Sequence, residues 1–294
     1  MRHIEFIHAA HFENNYHRHH VQGKLSSFID FFWQTKFEKL WRQYPKGFSD
    51  ALFPNLGYTY LINIGTPFVM QVDNKKFNMK TDGFLPRPSY IECFHQPGNV
   101  LFGIKFKVSP VIFEKKVNFS DYRGSIFPLS YLAEVTLLQK IKKPVSFEKR
   151  VQLLIKHYEE QLNKHEGSLK PVNIVTSILD NAAKQSNYNV TVEEFAARHH
   201  ISARTLQRYF LICTGTNSKK ALQVLRIRKA ASDILSNPEK FHYSNYNYYD
   251  FSHFYKHLKQ FLHNDTLRHI KPHLQLLKTI RKKIEPVRIP ARYT

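Results

Sequence analysis

Residues 191–215 read TVEEFAARHHISARTLQRYFLICTG, and this stretch predicts two short helices joined by a tight turn. Thr191 and Glu194 stand three residues apart just before an apolar step, which is the capping-box arrangement that starts a helix. The pattern then breaks, and Ser202 is a favourable N-cap for a second helix, which we place at 203–212. The glycine that closes the stretch is a fitting helix stop. The sequence therefore predicts a helix-turn-helix unit.

The second of these helices has two distinct faces. Leu206 and Phe210 are four residues apart and point inward, and the residues left facing outward are Arg204, Thr205, Gln207 and Arg208. In a major groove an Arg side chain forks onto guanine and a Gln amide pairs with adenine. A solvated helix face explains the same residues equally well, so the pattern alone leaves both interpretations open.

The net charge favours a polyanionic partner. The chain carries 44 Lys and Arg against 23 Asp and Glu, a formal net charge of +21. Residues 187–294 hold 19 of the basic and 7 of the acidic side chains, so this part is about twice as basic per residue as the rest. Nucleic acid is the commonest polyanion that attracts such a protein. A generally Lys-rich proteome is the alternative explanation.

The N-terminal part predicts a different class of structure. Strand patterns occupy 58–64, 68–72, 76–80 and 100–108, with a turn at Asp73-Asn74, and they predict a small barrel or sandwich. From about residue 129 the pattern becomes helical, with an apolar stripe from Phe147 to Leu162. We interpret that stripe as core, with a dimerisation helix as the alternative. The segment 167–171, Gly-Ser-Leu-Lys-Pro, is the best linker and our domain boundary.

The stretch from about 172 to 270 resembles the DNA-binding domain of the AraC/XylS family of transcription regulators. The residues that carry the resemblance are Ala196, Ile201, Ser202, Leu206, Phe210, Gly215, Arg226, Ala230, the run 248–254 and Lys259. The resemblance implies two helix-turn-helix units joined by a rigid helix, which we place at about 218–236. In that helix we expect Lys219, Lys220, Arg228 and Lys229 to face outward, beside DNA phosphates or solvent.

Several positions depart from the family pattern. His200 replaces the usual Gly of the first turn, Ser218 replaces a Pro, and His263 with Thr266 replaces a Gly and a Pro. The first helix of the second unit falls on 239–246, where Tyr and Asn are poor helix formers. We therefore expect a misshapen second unit. The reading helix of the first unit, 203–212, would then make most base contacts. The second would anchor to phosphates through Lys256, His257 and Lys259.

The segment 45–165 resembles, more weakly, the β-rich domain found at the N-terminus of some of these regulators, chiefly through the strand at 102–107. In the family such a domain senses a ligand or mediates dimerisation. The implied partners are therefore duplex DNA, a small-molecule effector and a second copy of the chain.

Other classes of function find little support. The two cysteines, Cys93 and Cys213, lack metal-ligand spacing, and His17, His19 and His20 have no carboxylate or cysteine nearby to complete a set. The only His in 50–127 is His95, which argues against an oxygenase-type metal site. No nucleophile or phosphate-loop motif is present, and no apolar run is long enough to span a membrane. We expect no enzyme activity, cofactor or metal, and a cytoplasmic location.

The combined prediction is an α+β chain with three parts: a β-rich barrel- or sandwich-like domain with flanking helices at 1–167, an all-α domain with two helix-turn-helix units at 172–275, and a basic tail at 276–294. Its function is a sequence-specific transcription regulator. The alternatives are a ligand-binding or interaction module with a degenerate DNA domain, and a nonspecific single-strand or RNA binder. The predicted DNA contacts are Ser202, Arg204, Thr205, Gln207, Arg208, Ser252, His253, Lys256, His257 and Lys259.

Overall fold

The computed structural model describes residues 2–5, 9–72, 75–86, 90–110, 125–144, 146–185, 188, 190–262 and 279–280. The predicted turn at Asp73-Asn74, the departures at His263 and Thr266, and the basic tail apart from two of its residues lie outside these ranges.

The N-terminal half contains two packed β-sheets, which confirms the predicted β-rich domain. In chain order the strands are β1 (Arg2–Glu5), β2 (Tyr16–His20), β3 (Ile29–Thr35), β4 (Phe48–Leu52), β5 (Tyr58–Asn63), β6 (Phe68–Val72), β7 (Lys75–Met79), β8 (Gly83–Pro86), β9 (Ile91–His95), β10 (Leu101–Phe106) and β11 (Phe127–Pro128). One sheet has the order β1-β4-β9-β6-β7 and the other has the order β11-β8-β5-β10-β3-β2. Strand β1 pairs with β4 in parallel, whereas the other pairs are antiparallel.

The strand patterns of the sequence match β5, β6, β7 and β10 closely, but β1 to β4 begin before the region in which we predicted strands. Strand β10 lies between β5 and β3, and its Gly103 is the register partner of Trp33 on β3. A Cβ atom added at Gly103 would lie 2.3 Å from the Trp33 ring. The glycine therefore leaves the space in which that indole packs.

The described chain also contains α-helices, in both the N-terminal and the C-terminal part. They are α1 (Ala9–Asn15), α2 (Glu38–Gln43), α3 (Val135–Lys142), α4 (Phe147–Lys164), α5 (Lys170–Gln185), α6 (Val192–Arg198), α7 (Ala203–Thr214), α8 (Ser218–Ser236) and α9 (Phe251–Leu262). The C-terminal part is all-α, as predicted, and the connecting helix has the bounds that the sequence indicated. None of the helices in these ranges is both long and apolar enough to cross a membrane.

The apolar stripe of α4 is core rather than an exposed dimerisation surface. Val151, Leu154 and Tyr158 are each no more than 3% exposed and belong to one cluster that runs from the β2–β11 sheet into α5, α6 and α7. The predicted boundary at 167–171 overlaps the short connection between α4 and α5 and the first turn of α5.

The two halves of the chain share apolar cores and polar contacts. The Thr176 hydroxyl of α5 donates to the Ser27 carbonyl at 2.9 Å, and the Lys107 ammonium lies 3.3 Å from the Asp180 carboxylate. A second core joins Ala51 and Phe53, at the end of β4, to buried residues of α8 and α9. The ring of Phe53 stacks on that of Phe261 with centroids 5.5 Å apart. The helical part is therefore docked on the sheet domain along β4 as well as through α5.

Candidate nucleic-acid interface and cavity

The first helix-turn-helix unit is formed by α6 and α7, and its helix starts are capped as the sequence predicted. The Thr191 hydroxyl accepts from the Glu194 amide at 3.1 Å, and the Glu194 carboxylate accepts from the Thr191 amide at 2.8 Å. This is a complete capping box. The Ser202 hydroxyl likewise accepts from the Thr205 amide at 3.1 Å and caps α7.

Two residues of this unit have a left-handed backbone conformation, one in the turn and one at the end of α7. Gly215 ends α7 with φ at 66°, which confirms the predicted stop. His200 in the turn has φ at 53°, at the position where the family pattern has glycine. A residue with a Cβ pays a conformational cost in this region. The turn therefore keeps its shape despite a residue that disfavours it.

Helix α7 buries one face and exposes Arg204 and Arg208 on the other. Leu206 and Phe210 have no exposed surface, so the orientation of the helix about its axis is fixed by packing. Arg204 and Arg208 are exposed and are four residues apart on one side of the helix. They are free to approach a groove from the face opposite the core.

Gln207 and Thr205 are more constrained than the two arginines. The Gln207 amide nitrogen donates to the Ser218 hydroxyl at 3.0 Å, and the Gln207 carbonyl oxygen accepts from the Ser218 backbone amide at 3.2 Å. Gln207 thereby ties α7 to the first residue of α8. The Thr205 hydroxyl accepts from Ser202 at 2.9 Å and is half-buried. Sequence spacing alone did not indicate the contact between Gln207 and Ser218, because Ser218 lies beyond the helix stop at Gly215.

The second unit departs from the helix-turn-helix pattern, as its sequence predicted. The segment that should form its first helix consists of two short 3-10 turns, Pro238–Lys240 and Tyr243–Tyr246. Tyr246 is buried, and its hydroxyl donates to the Asp233 carboxylate of α8 at 2.6 Å. The Tyr246 ring is thus buried against α8 from a 3-10 segment rather than from an α-helix.

Helix α9 is the second helix of this unit. The Asp250 carboxylate accepts from the His253 amide at 2.7 Å and caps the first turn. Phe254 and Leu258 are fully buried, whereas Ser252, His253 and Lys256 are exposed. The remaining cation of the predicted set, Lys259, is half-buried and lies with its ammonium 4.7 Å from the centroid of the Tyr255 ring.

His257 differs chemically from the other predicted contacts of α9. Its ring is half-buried, with Nδ1 3.4 Å from the Tyr248 hydroxyl and 3.5 Å from the Arg226 guanidinium. Burial, together with the positive charges of His253, Arg226, Lys220 and Lys256, lowers the pKa of His257 to about 4. The ring is therefore neutral at pH 7, so it presents no charge to a phosphate.

The connecting helix exposes fewer free cations than its sequence suggested. Lys219 and Lys220 are exposed, but Lys229 pairs with Asp233 at 2.8 Å. The expectation that Arg228 faces outward is wrong, because its guanidinium donates to the carbonyls of Phe53 at 3.3 Å and Pro54 at 2.8 Å. The guanidinium satisfies two carbonyls at the end of β4, and this contact holds the helical domain against the sheets.

A cavity of about 280 Å³ lies between the two sheets and reaches the helical domain. Apolar residues of both sheets line most of it, and Arg228 of α8 contributes to the same wall. Two further cations, Arg18 and Lys105, also line it; Arg18 is exposed, whereas Lys105 is buried and donates to the Leu56 carbonyl. No sequence pattern predicted this cavity, since its residues come from eight strands, from α1 and α8, and from the segment that follows β4.

No family model and no curated relative matches the chain. Among solved structures, the chain is similar to unsaturated-fatty-acid-bound ToxT from Vibrio cholerae, with 9% identity, a TM-score of 0.40 and coverage of 74% of this chain and 88% of that one. Another structure of ToxT from Vibrio cholerae is 10% identical, with a TM-score of 0.40 and coverage of 84% and 94%. The AraC-like transcriptional activator CuxR is 10% identical, with a TM-score of 0.25 and coverage of 76% and 89%. At these identities the function has to be argued from the site itself.

Proposed function

We propose that the chain is a sequence-specific transcription regulator that reads duplex DNA chiefly through α7. The observation that carries the proposal is the pairing of Arg204 and Arg208 on the exposed face of a helix whose other face, at Leu206 and Phe210, is fully buried. A packed helix that presents Arg in this way meets the geometric requirement for forking onto guanine in a major groove.

The other predicted contacts take different roles in this proposal. Gln207 is already bonded at both ends of its amide to Ser218, so it reaches a base only by giving up those bonds. Lys256 and Lys259 on α9, with Lys219 and Lys220 on α8, supply positive charge for phosphates. Phosphate contacts set register and affinity but carry no sequence information. His257, being neutral, contributes packing rather than charge.

The cavity favours a small-molecule effector as a second ligand. Arg18 at its rim offers a guanidinium group to a carboxylate or phosphate, and the remaining wall is largely apolar. Arg228 lines the helical side, where its guanidinium already donates to two carbonyls. An effector that engages Arg228 would touch the helix that joins the two reading units. The homodimer that the family resemblance implies stays a prediction.

The alternative of a single-strand or RNA binder is less well supported by the structure. Such proteins stack bases on exposed aromatic rings. In the run 241–255, Tyr246 and Tyr248 are buried and Phe241 and Tyr243 are half-buried, which leaves Tyr249, 94% exposed, as the freely presented ring in that segment. One ring gives no platform for successive bases.

The test is a fluorescence-anisotropy titration of the full chain with duplex from upstream of its own gene, at about 150 mM salt. Scrambled duplex and single strand serve as competitors. Arg208→Ala should cost about 1–3 kcal/mol of binding free energy on the cognate duplex and relax base preference at one position. Lys256→Ala should weaken binding to all duplexes similarly and reduce the salt dependence.

Arg42→Ala is the matched control, because Arg42 is an exposed arginine on α2 of the sheet domain. It should leave binding unchanged. Equal competition by every nucleic acid, tested on sites recovered by genome-wide selection, would contradict sequence reading. A larger change in base preference from Lys256→Ala than from Arg208→Ala would overturn the assignment of α7 as the main reader.

A further inference from the structure

Three side chains with metal-binding chemistry meet on one wall of the cavity. Asp50 lies on β4 and is the register partner of Cys93 on β9, and His95 follows two residues later on the same face of β9. One ligand atom from each lies within 4.8 Å of the other two, and all three side chains are buried. Antiparallel pairing thus brings together residues that are far apart in the sequence.

His95 is held in the orientation that a metal ligand needs. Its Nδ1 lies 2.7 Å from the Asn99 side-chain oxygen, and the Asn99 nitrogen donates to the Thr66 carbonyl at 2.9 Å. The second bond fixes which end of the Asn99 amide faces the ring, so Nδ1 carries the proton and donates. Metal-bound histidines are commonly oriented by such a bond from their second nitrogen. Nε2 is left facing Asp50 Oδ2 at 2.8 Å.

The surroundings of the cluster leave one carboxylate oxygen unsatisfied. Asp50 is 1% exposed, and its Oδ1 has no hydrogen-bond partner in the described part of the chain. The rings of Phe37, Phe48 and Phe68 surround His95, with Phe68 stacked on it at 5.5 Å between centroids. A carboxylate oxygen in such a setting loses its hydration without replacement, which a cation would correct.

We propose that Asp50, Cys93 and His95 bind one Zn²⁺ ion. A thiolate, an imidazole and a carboxylate are all zinc ligands, and a thiolate disfavours Mg²⁺ and Ca²⁺. The thiolate and carboxylate balance the charge of the ion, so the loaded site is neutral within the apolar wall. Three protein ligands leave the fourth position open to a water or to an anionic group in the cavity.

Binding requires only modest side-chain movement. Tetrahedral zinc places its ligand atoms about 3.3–3.8 Å apart, given bond lengths of about 2.0–2.3 Å. The Asp50–His95 hydrogen bond must therefore open by roughly half an ångström and release its proton to solvent, which frees Nε2 for the metal. The Cys93 thiol must likewise lose its proton to solvent and close in from a separation of no more than 4.8 Å. Both strands keep their register, because the changes lie within side-chain rotation. The expectation that the chain lacks a metal site rested on spacing within the sequence, which does not report cross-strand pairs.

The test is cobalt substitution in the tag-free full chain after removal of bound metals. Co²⁺ should bind one per chain and give both the near-ultraviolet thiolate-to-cobalt charge-transfer band and the visible bands of a tetrahedral site, and Zn²⁺ should abolish both. Cys93→Ser should remove the charge-transfer band. Cys213→Ser is the matched control, because Cys213 is the second buried cysteine of the chain and lies in α7; it should leave the spectrum unchanged.

Asn99→Leu tests the orienting bond without removing a ligand. It should weaken Co²⁺ and Zn²⁺ affinity about 10–100-fold. Circular dichroism of the metal-free variants shows whether each one folds. Absence of the charge-transfer band from the folded wild-type chain, or its persistence in Cys93→Ser, would overturn the site and leave a buried Asp–His pair as the explanation. No step of this experiment involves DNA, so its outcome is independent of the proposed regulatory function.

Discussion

The two helical units of the C-terminal part, α6–α7 and the segment 238–262, hold their second helices in place by different contacts. The first unit has a full helix before its reading helix, with a complete capping box and a hydroxyl cap. The second has 3-10 turns in that place and relies on a buried tyrosine bonded to Asp233. The first packs into the large core that continues into α4 and the six-stranded sheet, whereas the second packs on α8 and on the end of β4. Helix α9 is therefore positioned by tertiary packing, although the segment before it is not an α-helix.

The largest expected effect on stability comes from removing the buried phenylalanine ring at the centre of each unit, Phe210 in the first and Phe254 in the second. Phe210 and Phe254 are both fully buried, but Phe210 belongs to the core shared by most of the chain. Phe210→Ala should lower the free energy of unfolding by about 3–5 kcal/mol, because it leaves a cavity there. Phe254→Ala should instead release the segment 241–262 locally.

Urea unfolding combined with hydrogen exchange distinguishes the two outcomes. Phe254→Ala should reduce protection in 241–262 and leave the midpoint of the main transition nearly unchanged. An equal shift of the main transition by both variants would show that the units unfold together, and the contrast between them would disappear.

A smaller effect should follow from pH, and it should arise in the second unit. The pKa of His257 is lowered to about 4, below the value of about 6.5 for an unfolded His, so the unfolded chain binds more protons between these two values. Stability must then fall as the pH decreases from 7 to 5. After discounting for solvent screening at a half-buried ring, we expect the free energy of unfolding to fall by about 1 kcal/mol over this interval.

The measurement is thermal or urea unfolding at several pH values for the wild type and His257→Gln. The variant removes the titrating group and should show a shallower loss of stability over this interval. Parallel pH profiles for the two proteins would mean that the ring is solvated and titrates normally.

The smallest effect on stability concerns two residues with a left-handed backbone conformation, one before α7 and one before α9. His200 has φ at 53° and Asn247 has φ at 60°. His200→Gly should stabilise the chain by about 0.5–1 kcal/mol, because glycine adopts this region without the Cβ penalty. Asn247→Gly should change stability by only a few tenths of a kcal/mol, since Asn tolerates the region better. Unfolding midpoints compared at constant m-value give both numbers, and a larger gain at Asn247 would reverse the expected order.

Local signals predicted local structure well in this chain. Helix ends were predicted correctly because each depends on neighbours within a few residues. Examples are the caps Thr191 and Ser202, the stop at Gly215 and the bounds of α8. The absence of an α-helix from 239–246 was predicted in the same way, from the local run of Tyr and Asn. Strands β1 to β4 were missed because their apolar residues do not alternate regularly, as in the run 28–33, which reads FIDFFW.

Long-range contacts could not be predicted in the same way. The pairing of Gln207 with Ser218 crosses a helix stop, and the contact of Arg228 with Phe53 and Pro54 joins residues about 175 positions apart. Both residue types are usual on exposed helix faces, so the sequence pattern assigned them to DNA or solvent. Only the packed structure shows that each already has partners within the chain.

Strand β4 lies between the cavity and the helices α8 and α9. Its Asp50 and Leu52 side chains face the cavity, while Ala51 and Phe53 pack against α8 and α9. In the function proposed above, an effector would contact one face of this strand, and the other face supports α8 and α9, which we propose to contact DNA phosphates. Thermodynamic linkage then requires reciprocity: whatever factor the occupant imposes on DNA affinity, DNA imposes on the affinity of the occupant. The shift in effector affinity that DNA produces would therefore equal the shift in DNA affinity that the effector produces.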